Sequence, residues 1–194
     1  ENELSDQLKV VARLIAGGLS TQVYLVSIGG FDTHSEQVQD GTPTQGNHAE
    51  LLRKVSEAIY AFQDDLQLLG KADQVCGMTY SEFGRTIGGN ESFGTDHGAA
   101  APLFVFGKGV NPGIIGNNYE VPLDPGVSSD VPMQHDFRSV YASVLQDWFQ
   151  LTNPNEVLFE DFPILPIFKN EVRVKDTTGR DFFNFGNYPN PVRN

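Results

Sequence analysis

Basic residues are scarce in this chain: 13 Lys and Arg stand against 25 Asp and Glu, a formal net charge of −12 over 194 residues. That balance argues against binding nucleic acid, which needs clustered cations on phosphates, and disfavours docking on anionic membranes. It is compatible with binding cations. Cysteine is almost absent. The lone Cys76 excludes an internal disulfide framework, and within "DQVCGMTY" it reads as a small hydrophobe on a buried strand. No apolar run approaches the roughly 20 residues needed to span a bilayer. The opening "ENELSDQ" carries neither an initiator Met nor a signal peptide, so the chain is expected to be processed or a piece of something longer. Histidine is rare too, with four in all, which makes their placement informative.

What is present suits one domain of ordinary size with a short appendage. "LKVVARLIAGGL", Leu8 to Leu19, spaces its apolar residues as a helix and stops at a Gly pair. "TQVYLVSI", Thr21 to Ile28, reads as a strand apolar enough to be covered on both faces. After a polar loop, Asn47 with Glu50 marks a helix start. Leu51, Leu52, Val55, Ile59, Phe62, Leu66 and Leu69 then make one stripe that ends at Gly70. "QVCGMTY" and "APLFVFG" are expected as second and third strands, and Asp136 to Gln150 as another amphipathic helix with Asp136 at its N-terminus. Helices interleaved with short apolar strands predict an α/β domain with a mainly parallel sheet. Ligand sites in such sheets gather at the carboxyl ends of strands.

Three polar clusters fall on that expected rim: Asp32 and His34 in "GGFDTH", Glu82 and Arg85 in "SEFGRT", Asp96 and His97 in "GTDHG". Carboxylates and imidazoles converging from several strand ends are what hydrolytic Zn²⁺ or Mn²⁺ sites are made from. Such an ion polarises a phosphoryl or sulfuryl oxygen and acidifies water. Arg85 suits a bidentate contact with an oxyanion. A plainer reading stands beside this one, in which each carboxylate caps a turn and Arg85 pairs with Glu82. His48, in the first turn of a helix, and His135, just before another, are weaker ligand candidates. Trp148 falls on helical spacing and reads as core. "FGKGVNPGIIG" lacks the strand-turn-helix context of a phosphate loop.

The order "GGFDTH…SEFGRT…GTDHG…DFRSVY" strongly resembles the domain of unknown function 1501 family, related to the alkaline phosphatase and sulfatase superfamily. The resemblance covers Glu1 to about Pro166. It implies an alkaline-phosphatase-like α/β fold, here a partial domain, with metal ions on the rim of the sheet. It further implies transfer of phosphoryl or sulfuryl groups through a Ser or Thr nucleophile, or a formylglycine. By that likeness Asp32 and His34 bind the first metal, closer together than the usual spacing, and His97 completes the site. A rival alignment sets Asp96 and His97 against the Asp-His pair of the second metal. In the favoured one Glu82 takes the place of that Asp, and Phe83 stands where its His would be. Nothing before Asp32 supplies the nucleophile, so no catalytic residue is identified, and the missing N-terminal half of the domain is an expected partner.

After Lys169 the composition changes, and residues 169–194 read as a linker leading into another module. "NYPNPVRN" is similar to the opening of the C-terminal sorting domain used by type nine secretion in Bacteroidetes. That resemblance implies a secreted or cell-surface protein and contact with the secretion machinery. Together these readings predict a fragment of an exported hydrolase of small anionic esters that uses a divalent ion, Zn²⁺, Mn²⁺ or Ca²⁺. The ligands would come from Asp32, His34, His97, Glu82 and Asp96, with Arg85 toward substrate. The alternative is a non-catalytic surface or secretion-associated protein that keeps the fold.

Overall fold

Asn2 opens the first helix, α1 (Glu3–Ala16), by accepting from the Ser5 backbone N–H at 3.3 Å. Glu3 and Asp6 sit in its first turn and Arg13 in its last, each matching the helix dipole. Gly18, at φ +77, ends it, since a glycine takes the left-handed conformation without steric cost. The computed structural model describes residues 1–39, 42 and 44–169. These form two units, one of Glu1–Lys108 with Gly116–Gln134, the other of Gly109–Ile115 with His135 onward. Among the described residues no helix is long and apolar enough to cross a membrane. The linker and sorting motif expected at the C-terminus lie outside the described residues.

The first unit is built on α1 and α2 (Asn47–Leu68). Leu4, Leu8, Val11 and Ala12 recur at helical spacing on α1 and bury against Ala58, Phe62 and Leu66 of α2. The Asn2 amide donates to the Lys54 carbonyl at 2.8 Å and ties the start of α1 to α2. The expected α2 stripe is narrower than its sequence suggests, because Leu52 and Leu69 are exposed. Helix α2 ends at Leu68, with Leu69 as its C-cap and Gly70 at φ +66 just beyond.

The sheet departs from expectation. Among the described residues the strands are two-residue pieces: β1 (Gly77–Met78), β2 (Gly84–Arg85), β3 (His97–Gly98) and β4 (Val105–Phe106). They make two antiparallel pairs, β1 with β4 and β2 with β3. This overturns the mainly parallel α/β, alkaline-phosphatase-like sheet. The β1–β4 register pairs Gly77 with Phe106. A Cβ at Gly77 would lie 2.2 Å from that phenyl ring, so the absent side chain selects this close antiparallel contact. Thr21 to Ile28 joins no strand among the described residues. Tyr24, Val26 and Ile28 pack on the helical core, while Val23 and Leu25 are exposed, so only one face is covered. The only hydrogen bonds to this stretch among the described residues come from the Gln7 amide, which accepts from Ser27 N–H at 3.0 Å and donates to its carbonyl at 2.8 Å. Its alternation is that of a strand, but the described residues provide no neighbour to pair with it.

In the second unit, α3 (Phe137–Ser143) is capped by Asp136, whose carboxylate accepts from Arg138 N–H at 2.9 Å. The span expected to be one helix continues as a π-turn, Val144–Trp148, and ends with Gln150 at φ +59. A short helix, α4 (Asn155–Leu158), follows. Trp148 is buried and lies 5.6 Å, centroid to centroid, from Phe168. Ser143, fully buried, donates to the Ser139 carbonyl at 2.7 Å and accepts from Leu165 N–H at 2.8 Å.

Candidate metal centre

Two loops of the first unit meet beside the β2–β3 pair. The loop after Thr21–Ile28 brings Asp32, Thr33 and His34; the one entering β3 brings Thr95, Asp96 and His97. Their backbones run together: Thr95 N–H donates to the Thr33 carbonyl at 3.3 Å and Glu36 N–H to the Ser92 carbonyl at 3.0 Å. Gly94 makes the approach possible, since a Cβ there would lie 2.2 Å from the His34 carbonyl oxygen. The β2–β3 register then sets Arg85 opposite His97.

Asp32, His34 and His97 each offer one ligand atom, all within 4.8 Å of one another. Their focus is Asp32 Oδ1, with His97 Nε2 at 2.8 Å, His34 Nε2 at 3.0 Å and Arg85 donating from Nη1 at 2.8 Å. The hydrogen bond from His97, and after it that from Arg85, holds the Asp32 carboxyl below the usual carboxylate range. Asp32, His34 and His97 are about half exposed, leaving the centre open to solvent.

His34 is gripped at both ring nitrogens. Nδ1 lies 3.1 Å from Asp96 Oδ1, and Nε2 faces Asp32. A neutral imidazole donates from one nitrogen only. With Nδ1–H on Asp96, the Nε2 lone pair points at a carboxylate oxygen, so either a proton or a metal ion belongs between them. An aspartate on the outer nitrogen of a ligand histidine is the usual support of a metal-bound imidazole. The residues present therefore fit a divalent ion. Two nitrogens and one oxygen suit Zn²⁺, Mn²⁺ or Fe²⁺; Ca²⁺ prefers an all-oxygen set.

Of the other sequence candidates, Asp96 stands behind His34 and outside the Asp32–His34–His97 group. Glu82 is exposed and outside it as well. Arg85, far less exposed than its carboxylate partner, makes no ion pair with Glu82 among the described residues; it is spent on Asp32, the Thr95 carbonyl and, at 3.0 Å, the Thr95 hydroxyl. His48 is half-buried, edge-on to Phe31 at 5.9 Å, and its Nδ1 has no hydrogen-bond partner among the described residues. Burial, and then the positive charge of Arg85, pushes its pKa down. His135 is an exposed residue of the second unit.

Sequence reasoning missed Gln37 and Asn90. Gln37 Oε1 accepts from the Thr33 and Thr95 hydroxyls at 2.8 Å each. The Asn90 amide donates to the His34 carbonyl at 2.9 Å, and its oxygen accepts from Ser92 and Gly94 N–H, both at 3.0 Å. Only the turn-forming character of "GGNESFG" hints at Asn90.

A half-exposed centre of two histidines and an aspartate, braced by further carboxylate and guanidinium groups, defines a candidate metal-binding protein. The family model described as "Protein of unknown function (DUF1501)" matches residues 10–161, and the chain belongs to that family. No curated protein and no solved structure matches it.

Proposed function

We propose that this protein binds one divalent metal ion through Asp32, His34 and His97 and hydrolyses phosphate or sulfate esters outside the cell. The observation that carries the metal reading is the convergence of both Nε2 atoms on Asp32 Oδ1, with Asp96 behind His34. When bound, such an ion supplies Lewis-acid polarisation of an ester oxygen and a lowered pKa for water. The chain's own residues orient the ligands: Arg85 restrains the Asp32 carboxylate and Asp96 the His34 ring. The half-exposed ligands leave an approach for a small anionic substrate. The ester class rests on the order of the four sequence motifs, which resembles that of alkaline phosphatases and sulfatases. Export, through type nine secretion, rests on the resemblance of "NYPNPVRN" to a sorting motif.

A non-catalytic surface protein that keeps the ion is the second reading. One observation favours it: Thr33 and Thr95, on the two ligand loops, are buried and tied to Gln37, so neither hydroxyl faces a substrate, and Ser35 is the exposed hydroxyl beside His34. Elemental mass spectrometry of the purified protein, with His97→Ala alongside, tests the metal. Stoichiometric Zn²⁺, Mn²⁺ or Fe²⁺ that is lost in the variant is the expected result. No metal in either protein, after incubation with each ion, sinks both readings. Metal without turnover of any phosphate or sulfate ester selects the second.

A further inference from the structure

We infer that Phe83 is a positioning residue for the metal centre, acting through His97; the inference rests on the metal reading above. The two ligand imidazoles are held by different means. His34 meets a carboxylate at each ring nitrogen, and its carbonyl accepts from Asn90. His97 meets Asp32 through Nε2, and among the described residues no hydrogen bond holds its other nitrogen. In that role stands the Phe83 ring, lying flat on the imidazole with centroids 3.9 Å apart and planes 9° from parallel.

A ligand imidazole ordinarily owes its orientation to a hydrogen bond at the nitrogen that does not bind metal. At His97 a stacked face takes over that function, restricting rotation of the ring about its Cβ–Cγ bond. Phe83 is itself fixed. Ser81 Oγ donates to its carbonyl at 3.0 Å, and the Arg85 guanidinium lies 5.8 Å from its ring centroid. Gly84 comes next and lies opposite Gly98, where a Cβ would come within 1.9 Å of the Ala100 carbonyl oxygen. A bulkier residue at 84 would force β2 away from β3, and with it the phenyl ring from His97. Phe83 and Arg85, two positions apart, thus orient two of the three ligands: the ring backs His97 and the guanidinium restrains Asp32.

Without the stack, the half-exposed His97 side chain samples orientations that turn Nε2 away from Asp32, and ordering it again on binding weakens the affinity. The test is Co²⁺ titration of the whole chain, reading the visible absorption band of the bound ion and the Kd by competition with a chelator. Phe83→Ala is expected to weaken Co²⁺ affinity about 10- to 100-fold and to shift the band. Phe83→Tyr, which keeps the flat face, is expected to retain both. Phe83→Leu retains apolar bulk without a flat face and is expected to weaken binding as well; it serves if Phe83→Ala fails to fold in metal-free thermal melts. Wild-type affinity and spectrum in the folded Ala or Leu variant overturn the inference while leaving the metal reading intact. A wild-type chain that takes up no Co²⁺ overturns both.

Discussion

Gln37 holds together the two loops that bear the candidate ligands, since its single amide oxygen accepts a hydroxyl from each. Thr33 and Thr95 are buried, at 5% and 8% exposure, so water is a poor substitute for the lost acceptor. Gln37→Ala is therefore expected to cost about 1–3 kcal/mol, the penalty for stranding buried polar groups. Gln37→Glu, which keeps the acceptor oxygen, should lose less. Urea unfolding measures both, and an Ala variant with the wild-type midpoint would remove Gln37 from this role. The same pair shows where sequence reasoning stops. Asp32, His34 and His97 stood out because few residue types bind metals and they occur in short, distinctive motifs. Gln37 lies 58 positions from Thr95 and is one polar residue among several in its loop, so nothing local distinguishes it. The role of Arg85 was hidden for the same reason: its partner Asp32 is 53 positions away, whereas the expected partner Glu82 was only three.

Helices and strands were unequally legible. Helical hydrogen bonds close within four residues, so the spacing of Leu4, Leu8, Val11 and Ala12 reports directly on a local structure that forms. The expectation for α1 still began late, at Leu8, because its first turn is polar and Asn2 lies before the apolar periodicity. A strand must find its partner elsewhere in the chain, and alternation records neither which partner nor which direction. Thr21 to Ile28 shows this: the run was expected to be covered on both faces, yet Val23 and Leu25 are exposed and no neighbour pairs with it among the described residues. Val23 and Leu25 are 72% and 74% exposed on a stretch without charge or proline, the type of edge that invites self-association. The double variant Val23→Lys, Leu25→Thr should change unfolding free energy by less than about 0.5 kcal/mol per site while lowering aggregation in light scattering. A loss of several kcal/mol would mean that the face is covered. At α3, the cap provides a pH-dependent case. Side-chain and then backbone hydrogen bonds from Arg138 lower the Asp136 pKa, so its contribution is complete above the ordinary aspartate pKa and fades as pH falls through the lowered one. Asp136→Ala should cost about 1 kcal/mol at neutral pH, and the gap from wild type in urea should narrow in acid. A gap that stays constant into acid would exclude the charged cap as its source.

At the scale of the molecule, all three proposed ligands belong to the first unit, as do α1, α2 and the core around Leu66, which is 0% exposed. The loop bearing Asp32 and His34 follows directly on Tyr24, Val26 and Ile28, which pack on that core. An ion that binds the folded arrangement and not the unfolded chain stabilises the unit by mass action, by about 2.7 kcal/mol when its free concentration is 100 times Kd. Hydrogen exchange can place this gain. Amides of α2, in the first unit, should exchange about 100-fold more slowly with Zn²⁺ present if they open by unfolding of that unit, because 2.7 kcal/mol corresponds to that factor at 25 °C. The second unit contains none of the three ligands, so α3 serves as the internal reference. Chelation should return α2 to its metal-free rate, and His97→Ala should show no response to the ion at all. Slowing that persists in His97→Ala would locate the ion somewhere other than between Asp32 and the two histidines, however well those three side chains are placed to receive it.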